Sequence, residues 1–321
     1  MKNNQLSRYG AISKMFPFTI GKIFFVVNSA ETYVSEMQEQ FPADVDGVTR
    51  VYSTVALAYA ATVSNRNDVI VLDSNSTHSE AMITVAKNRV HFVGADFGGR
   101  LNSQGSKLFT PATDVAASVA CISNTGTRNT FQNIKFAQNG LNAAQTSAFI
   151  DTGEGTFVKN CSFEVDSILS TASQGLLFKG DTCHYEDCQI GNSTVYHAAA
   201  NQAPLVLQTP ARYSYFINCT IINYSSESTA SCIDAPDANS IIGWVMFKNC
   251  SLMSANKGDG TTAGGTMAEA VTSICTSGYL YFDNRCTSYR ATIFAELDAS
   301  IMNAAPAGAA TAGGGEAVPG V

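Results

Sequence analysis

Charge is scarce in this chain: of 321 residues only 14% are charged, while 45% are hydrophobic. That scarcity, beside a wealth of Ser, Thr and Asn, suits β-strands linked by polar turns better than a helical protein. Positive charge is scarcer still, 19 Lys and Arg against 26 Asp and Glu for a net charge of −7. Phosphate binding needs concentrated positive charge, so nucleic acid is not expected as a partner, although a local basic patch stays open. No apolar run approaches the length of a membrane span, and no membrane partner is expected. Residues 1–22 place Lys2, Arg8, Lys14 and Lys22 around a short apolar run, Met15 to Ile20, which Pro17, Gly21 and Lys22 interrupt. A secretory signal needs a longer unbroken apolar core, so this segment reads as an arm. Length alone permits two domains or one elongated β architecture.

What the chain has in abundance is one six-residue word: aromatic or aliphatic, any residue, Asn or Asp, Cys, small polar, apolar. Its clearest copy is Phe247-Lys248-Asn249-Cys250-Ser251-Leu252. Earlier copies begin at Phe216, Tyr185, Val158 and Phe131, and a degraded copy, Phe282-Asp283-Asn284-Arg285-Cys286, holds one extra residue. The Asn/Asp positions 133, 160, 187, 218, 249 and 284 step by 27, 27, 31, 31 and 35 residues, an elastic period that predicts a solenoid with loops of varying length. In a straight strand the first and third positions would share a face and the Cys would take the other. A bend at the Asn, which tolerates the left-handed conformation, lets the aromatic, the Cys and the final apolar residue all point inward. Stacking such bent strands predicts an inner column of Cys161, Cys188, Cys219 and Cys250, continuing Ile134. Beside it runs a ladder of Asn133, Asn160, Asp187, Asn218, Asn249 and Asn284 whose side chains hydrogen-bond between turns.

This pattern resembles the asparagine ladder of right-handed parallel β-helices in the pectin lyase-like superfamily, over roughly residues 50 to 290. The upstream sequence fits the same plan. Ile23 to Val27 reads as a strand and Glu31 to Gln40 as a short helix. Ser53 or Thr54 stands where an N-cap belongs before an Ala-rich helix, Val55 to Val63. Strands follow at Asp68 to Leu72, Met82 to Val85 and Val90 to Gly94. Pectin lyase-like coils commonly begin so, the helix capping the open core of a stack whose end strands expose unpaired backbone. Each later rung has an upstream strand, at Ala120-Cys121-Ile122, Ala148 to Ile150, Leu176 to Phe178, Leu205 to Leu207, Ser231-Cys232-Ile233 and Ser273 to Cys275. Loops such as Ala137 to Thr146 and Met253 to Thr266 project between them. Ile293 to Met302 reads as a closing helix, and Ala304 to Val321 as a tail too poor in apolar bulk to fold alone.

The fold class so predicted is all-β: a right-handed parallel β-helix over residues 51–290, with a cap helix, an N-terminal attachment arm over 1–50 and a short helix and extended tail over 291–321. The opening from Gly21 to Ala61, with Gly-Lys-Ile-Phe-Phe-Val-Val and Asp-Gly-Val-Thr-Arg-Val-Tyr-Ser, is similar to the start of β-helical virion proteins of tailed bacteriophages. That resemblance implies a particle-associated structural protein, one decorating the capsid or forming a fibre; of the two the capsid surface is expected. Its implied partners are the major capsid protein or other virion proteins, a dimer or trimer of itself, and a host surface glycan. The alternative is a tail fibre or tailspike that binds or degrades host polysaccharide.

Nine cysteines raise the question of disulfides or metal. The column position explains Cys161, Cys188, Cys219 and Cys250 as free core thiols, and Cys121, Cys232 and Cys275 share an upstream-strand position. Cys183-His184 with Cys188 lacks a second pair at ligand spacing, so neither metal nor cofactor is expected. The Asn-x-Ser/Thr triplets at Asn160, Asn218 and Asn249 belong to the repeated word and need no glycan. Sugar cleavage needs two carboxylates at a set separation, or a metal-supported base with an arginine. Asp151 and Glu154, Glu164 and Asp166, Asp181, Glu186 and Asp187, and Asp234 and Asp237 match no sugar-cleaving motif; turn carboxylates are ordinary. Arg128 and Arg212 stand alone, and His78, His91, His184 and His197 lie on separate segments without triad or ligand spacing. The sequence therefore points to a chain that is not an enzyme. Tyr213, Tyr215 and Tyr224 suit stacking on sugar rings, but equally the cover of a core or an interface.

Overall fold

The computed structural model describes residues 21–96 except 76, 105–111, 118–139, 144–165, 173–195, 203–225, 230–255, 271–289 except 274, and 301–303. The chain winds into a coil of three sheets in which every strand pairing is parallel. Sheet A has eleven strands, in the order Val51–Tyr52, Ile23–Val26, Asp68–Leu72, Val90–Gly94, Thr130–Gln132, Phe157–Lys159, His184–Glu186, Ser214–Ile217, Gly243–Lys248, Gly278–Phe282 and Ile301–Asn303. Sheet B has eight strands from Thr77–Ser79 to Thr287–Tyr289, and sheet C seven from Ile83–Val85 to Val271–Ser273. From Asp68 to Tyr289 consecutive strands visit the sheets in turn, which makes the fold a parallel β-helix, right-handed as parallel crossovers are.

The repeated word builds the corner between sheets A and B. Asn133, Asn160, Asp187, Asn218 and Asn249 have φ of 56°, 51°, 54°, 53° and 52°, the left-handed region that Asn and Asp tolerate. The bend turns the aromatic position into the core from sheet A and the final apolar position into it from sheet B. Phe131, Val158, Tyr185, Phe216 and Phe247 are buried, as are Phe136, Phe163, Ile190, Ile221 and Leu252. Rung on rung, aromatic rings stack: Tyr185 on Phe216 at 4.8 Å, Phe216 on Phe247 at 4.9 Å and Phe247 on Phe282 at 4.8 Å. Each such ring buries well over a hundred Å² and contributes about 3–5 kcal/mol against truncation to Ala.

Several elements differ from the sequence expectation. A first helix, α1, spans Val34–Gln40 and starts three residues late; a second, α2, spans Val55–Ala61 and stops two early. Thr54, not Ser53, is the N-cap of α2, its Oγ1 accepting from Leu57 N–H at 3.2 Å. The upstream strands at Ile122–Asn124 and Ile233–Ala235 begin where expected strands end, because Cys121 and Cys232 occupy the corner before sheet C. Thr77–Ser79 and Lys107–Phe109 are strands that no apolar pattern announced. The expected closing helix ends instead in a strand, Ile301–Asn303, paired with Gly278–Phe282; residues 293–300 lie outside the described residues, as do those of the tail.

Ile23–Val26 is built into sheet A between Val51–Tyr52 and Asp68–Leu72, and α1 lies on that sheet's outer face. There Val34, Met37 and Phe41 cover Phe25, Val69 and Val71, a second core outside the coil. Beyond α1, no described element packs on the outer face of sheet A.

Candidate outer-face site

The residue just before each copy of the word points outward from sheet A. In register these are Thr130, Phe157, His184, Tyr215, Met246 and Tyr281. Phe157 lies 5.4 Å from His184, and His184 6.2 Å from Tyr215, between ring centroids. Two residues upstream runs a second outward row, Tyr213, Trp244 and Tyr279, held in line by the Ser214–Val245 and Trp244–Tyr279 pairings. Trp244 meets both Tyr215 at 4.9 Å and Tyr213 at 5.9 Å edge to face, joining the rows. Tyr213 and Tyr279 are 43% and 51% exposed, a contiguous aromatic surface of the kind that marks contact with another molecule. Lys248 adds its ammonium 4.7 Å above the Tyr215 ring.

A polar column borders the aromatic rows. Parallel bridges align Thr127 with Glu154, Glu154 with Asp181, and Asp181 with Arg212, so the two carboxylates and the guanidinium occupy three successive rungs. Arg212 holds Asp181 through Nε at 2.8 Å and Nη2 at 2.7 Å. Asp181 Oδ1 is buried and accepts no hydrogen bond among the described residues, while Glu154 is exposed. Downstream, Lys159 pairs with Glu186 at 2.8 Å, which together with Asp187 raises the lysine's pKa. Burial lowers the pKa of His184, whose Nε2 stands 3.9 Å from Glu186.

The position that carries Tyr213 also bends. Asn67, Arg89, Arg128, Gly155, Thr182 and Tyr213 share one register position and one conformation, φ of 61°, 55°, 56°, 64°, 53° and 50°. This second left-handed column turns the chain into sheet A, as the Asn column turns it out.

The ladder residues lie on the opposite border of the sheet. Asn160 donates to Asn133 at 2.8 Å, Asn218 to Asp187 at 3.2 Å and Asn249 to Asn218 at 2.8 Å. Asn284 is exposed and is not in the left-handed conformation; Asp283 meets the ladder instead, its carboxylate accepting Asn249 N–H at 2.9 Å. Cys161, Cys188, Cys219 and Cys250 are buried, and none of the nine cysteines forms a disulfide. Cys183 and Cys188 face the core while His184 is on the outer face, so these three do not converge. Among the described residues no group of three or more His, Cys, Asp or Glu is placed to hold a metal ion.

The remaining carboxylates separate. Asp151 is fully buried, accepting from Tyr185 Oη at 2.6 Å and Asn124 Nδ2 at 2.8 Å, and its pKa is raised by that burial. Glu164 pairs with Lys135. Asp234 lies on sheet C away from the aromatic rows, and Asp166 and His197 fall outside the described residues. Sequence reasoning named Glu154, Asp181, Arg212, Tyr213 and Tyr215 but treated them as scattered, and it missed Phe157, His184, Trp244 and Tyr279 as members of one surface. The available signal was the offset from the word: one residue before it, and three before it.

No protein-family model matches the chain, and no curated protein matches it in sequence. Solved structures do match its shape. Pectate lyase Pel9A aligns with a TM-score of 0.53 at 14% identity, covering 88% of this chain and 74% of its own. Pectin methylesterase PemA from Erwinia chrysanthemi gives 0.44 at 12% over 88% and 92%, and ORF18 of Geobacillus virus E2 gives 0.33 at 15% over 93% and 58%. The chain has the pectin lyase-like parallel β-helix fold. This corrects the reading of a chain that is not an enzyme: a pectate lyase shares this coil, so a missing motif does not set the chain apart from enzymes. The likeness is one of fold. A carboxylate pair on adjacent rungs, sought without success in the sequence, is present as Glu154 and Asp181.

Proposed function

We propose that this protein is a structural component of a tailed-bacteriophage virion, displayed on the capsid surface as a rigid coil and attached through its terminal segments. The observation that supports this reading is the folding of Gly21–Ala61, the stretch that resembles β-helical virion proteins, as one unit: strand in sheet A, α1 on the outer face, α2 over the coil end. That unit closes one end of the coil, and among the described residues nothing covers the outer face of sheet A along its remaining length. Immunogold electron microscopy of intact particles, with antibody raised to the coil, tests the reading. Label over the head is expected; label at the tail tip would move the protein to a fibre or spike, and unlabelled particles would remove it from the virion.

The aromatic rows favour a second role on the same coil, binding of a host surface glycan. Flat rings at the spacing of the rungs suit the C–H faces of successive sugar units, and the Asp181–Arg212 pair beside them suits hydroxyl groups. A glycan array is expected to show binding that Trp244→Ala and Tyr213→Ala each weaken about two- to tenfold, the scale of one lost stacking contact. Product analysis of any glycan bound then distinguishes holding from cleavage.

A further inference from the structure

The cysteine column has a fifth member that arrives by a detour. In the four words before it the Cys directly follows the Asn or Asp, whereas Asp283-Asn284-Arg285-Cys286 carries one more residue. A turn absorbs the surplus. Cys286 N–H donates to Asp283 O at 3.1 Å, and the Asp283 carboxylate accepts Arg285 N–H at 3.2 Å and its Nη2 at 2.9 Å. Register then resumes: Ser251 faces Thr287, and Thr287 N–H donates to Cys250 O at 2.9 Å, as Ser251 N–H does to Cys219 O and Thr220 N–H to Cys188 O. Cys286 therefore stacks on Cys250 one strand spacing away, about 4.8 Å between α-carbons. Disulfides span α-carbon separations of roughly 4.4–6.8 Å. Contacts bring Cys286 Sγ against Cys250 as well: it accepts the Cys250 N–H at 3.4 Å, and the two thiols are hydrogen-bond partners. Eight of the nine cysteines are buried; Cys286 alone is partly exposed.

We propose that Cys286 and Cys250 form a covalent modification site for small disulfides, with Cys286 as the entry thiol and Cys250 as the resolving thiol. With oxidised glutathione the Cys286 thiolate attacks one sulfur, forming a mixed disulfide and releasing one reduced glutathione, which takes up the proton. The Cys250 thiolate then attacks Cys286 Sγ, the mixed disulfide breaks, and a second reduced glutathione leaves with the second proton. Two protein thiols are oxidised and one small disulfide is reduced. The product bolts the irregular rung of the degraded word to the one before it after the protein leaves a reducing compartment. The Cys250 thiol and burial both hold the Cys286 proton tightly, so exchange quickens as pH rises.

The test uses the folded full chain incubated with oxidised glutathione at mildly alkaline pH, quenched with acid and examined by intact mass and peptide mapping. The mass is expected to fall by about 2 Da, with Cys250 joined to Cys286 and the change reversed by dithiothreitol. The melting temperature of the oxidised form rises. Cys286→Ser abolishes the mass change, and Cys250→Ser retains one glutathione on Cys286. The proposal is overturned if the folded chain keeps its mass while the urea-unfolded chain oxidises, if the mapped bond joins other cysteines, or if folded Cys250→Ser takes up no glutathione.

Discussion

Thr182 shows how a single residue registers the demands of the coil. A β-branched side chain avoids φ near +53°, yet Thr182 adopts it because the rungs above and below fix the bend, Gly155 meeting the same demand at +64°. Thr182→Asn, which tolerates this conformation, is expected to raise stability by about 1 kcal/mol, read as a higher denaturant midpoint at unchanged slope. An unchanged or lower midpoint would mean that the bend is unstrained. Asp234 gives the pH counterpart. Burial, with the nearby Asp237 charge, raises its pKa from 3.8 to about 6. A raised carboxyl pKa means that the folded state binds the proton more tightly, so its stabilising effect is full below 3.8 and lost as pH rises through about 6. Asp234→Asn is expected to melt with wild type at the acid end and above it at neutral pH. The Asn word was legible because Asn and Asp advertise the left-handed bend chemically. The second bend column was not, since Arg89, Arg128, Gly155, Thr182 and Tyr213 share a backbone angle and no side-chain property.

Among the elements, α2 is the one whose short length needs explanation. Seven residues are too few for a helix to persist alone, and remote side chains hold both of its ends. Glu80 accepts Val55 N–H at 2.6 Å and Ala56 N–H at 2.9 Å, and Lys87 Nζ donates to Tyr59 O at 2.7 Å and Thr62 O at 2.6 Å. Both charges also match the helix dipole, carboxylate at the positive end and ammonium at the negative. Glu80→Ala leaves two orphan donors, and we expect a loss of roughly 1–3 kcal/mol with amide exchange accelerated first in Val55–Ala61. Uniform acceleration across the coil would show that the cap is not a separate unit. The sequence announced this helix through Thr54 and its alanines, but the clamps come from 24 to 28 residues away and follow only from the fold. The strands Thr77–Ser79 and Lys107–Phe109 were hidden for a related reason: three residues with one inward side chain make no period, and neighbours across the rung define them.

For the whole molecule, the coil is legible from repetition while its functional face is not. The outer rows come from residues separated by about one turn of the solenoid, so Phe157, His184, Tyr215 and Trp244 become neighbours only once the register is fixed. Attachment through the ends makes a further prediction. A chain lacking residues 1–20 and 304–321 is expected to keep its β-rich circular dichroism and melting temperature yet fail to join particles; full incorporation would place the contacts on the coil itself. Extending the N-terminal cut to residue 50 removes Ile23–Val26 from between Val51–Tyr52 and Asp68–Leu72 and should unfold the first rung. The steps of 27, 27, 31, 31 and 35 residues between words carry one more consequence. Since register is set at the corners and the surplus goes into the turns, insertions between Tyr224 and Ala230, or after Ala255, leave the aromatic spacing untouched. Scaffold and display can therefore drift at different rates, and a lineage under pressure to change its outer surface can do so by length variation alone.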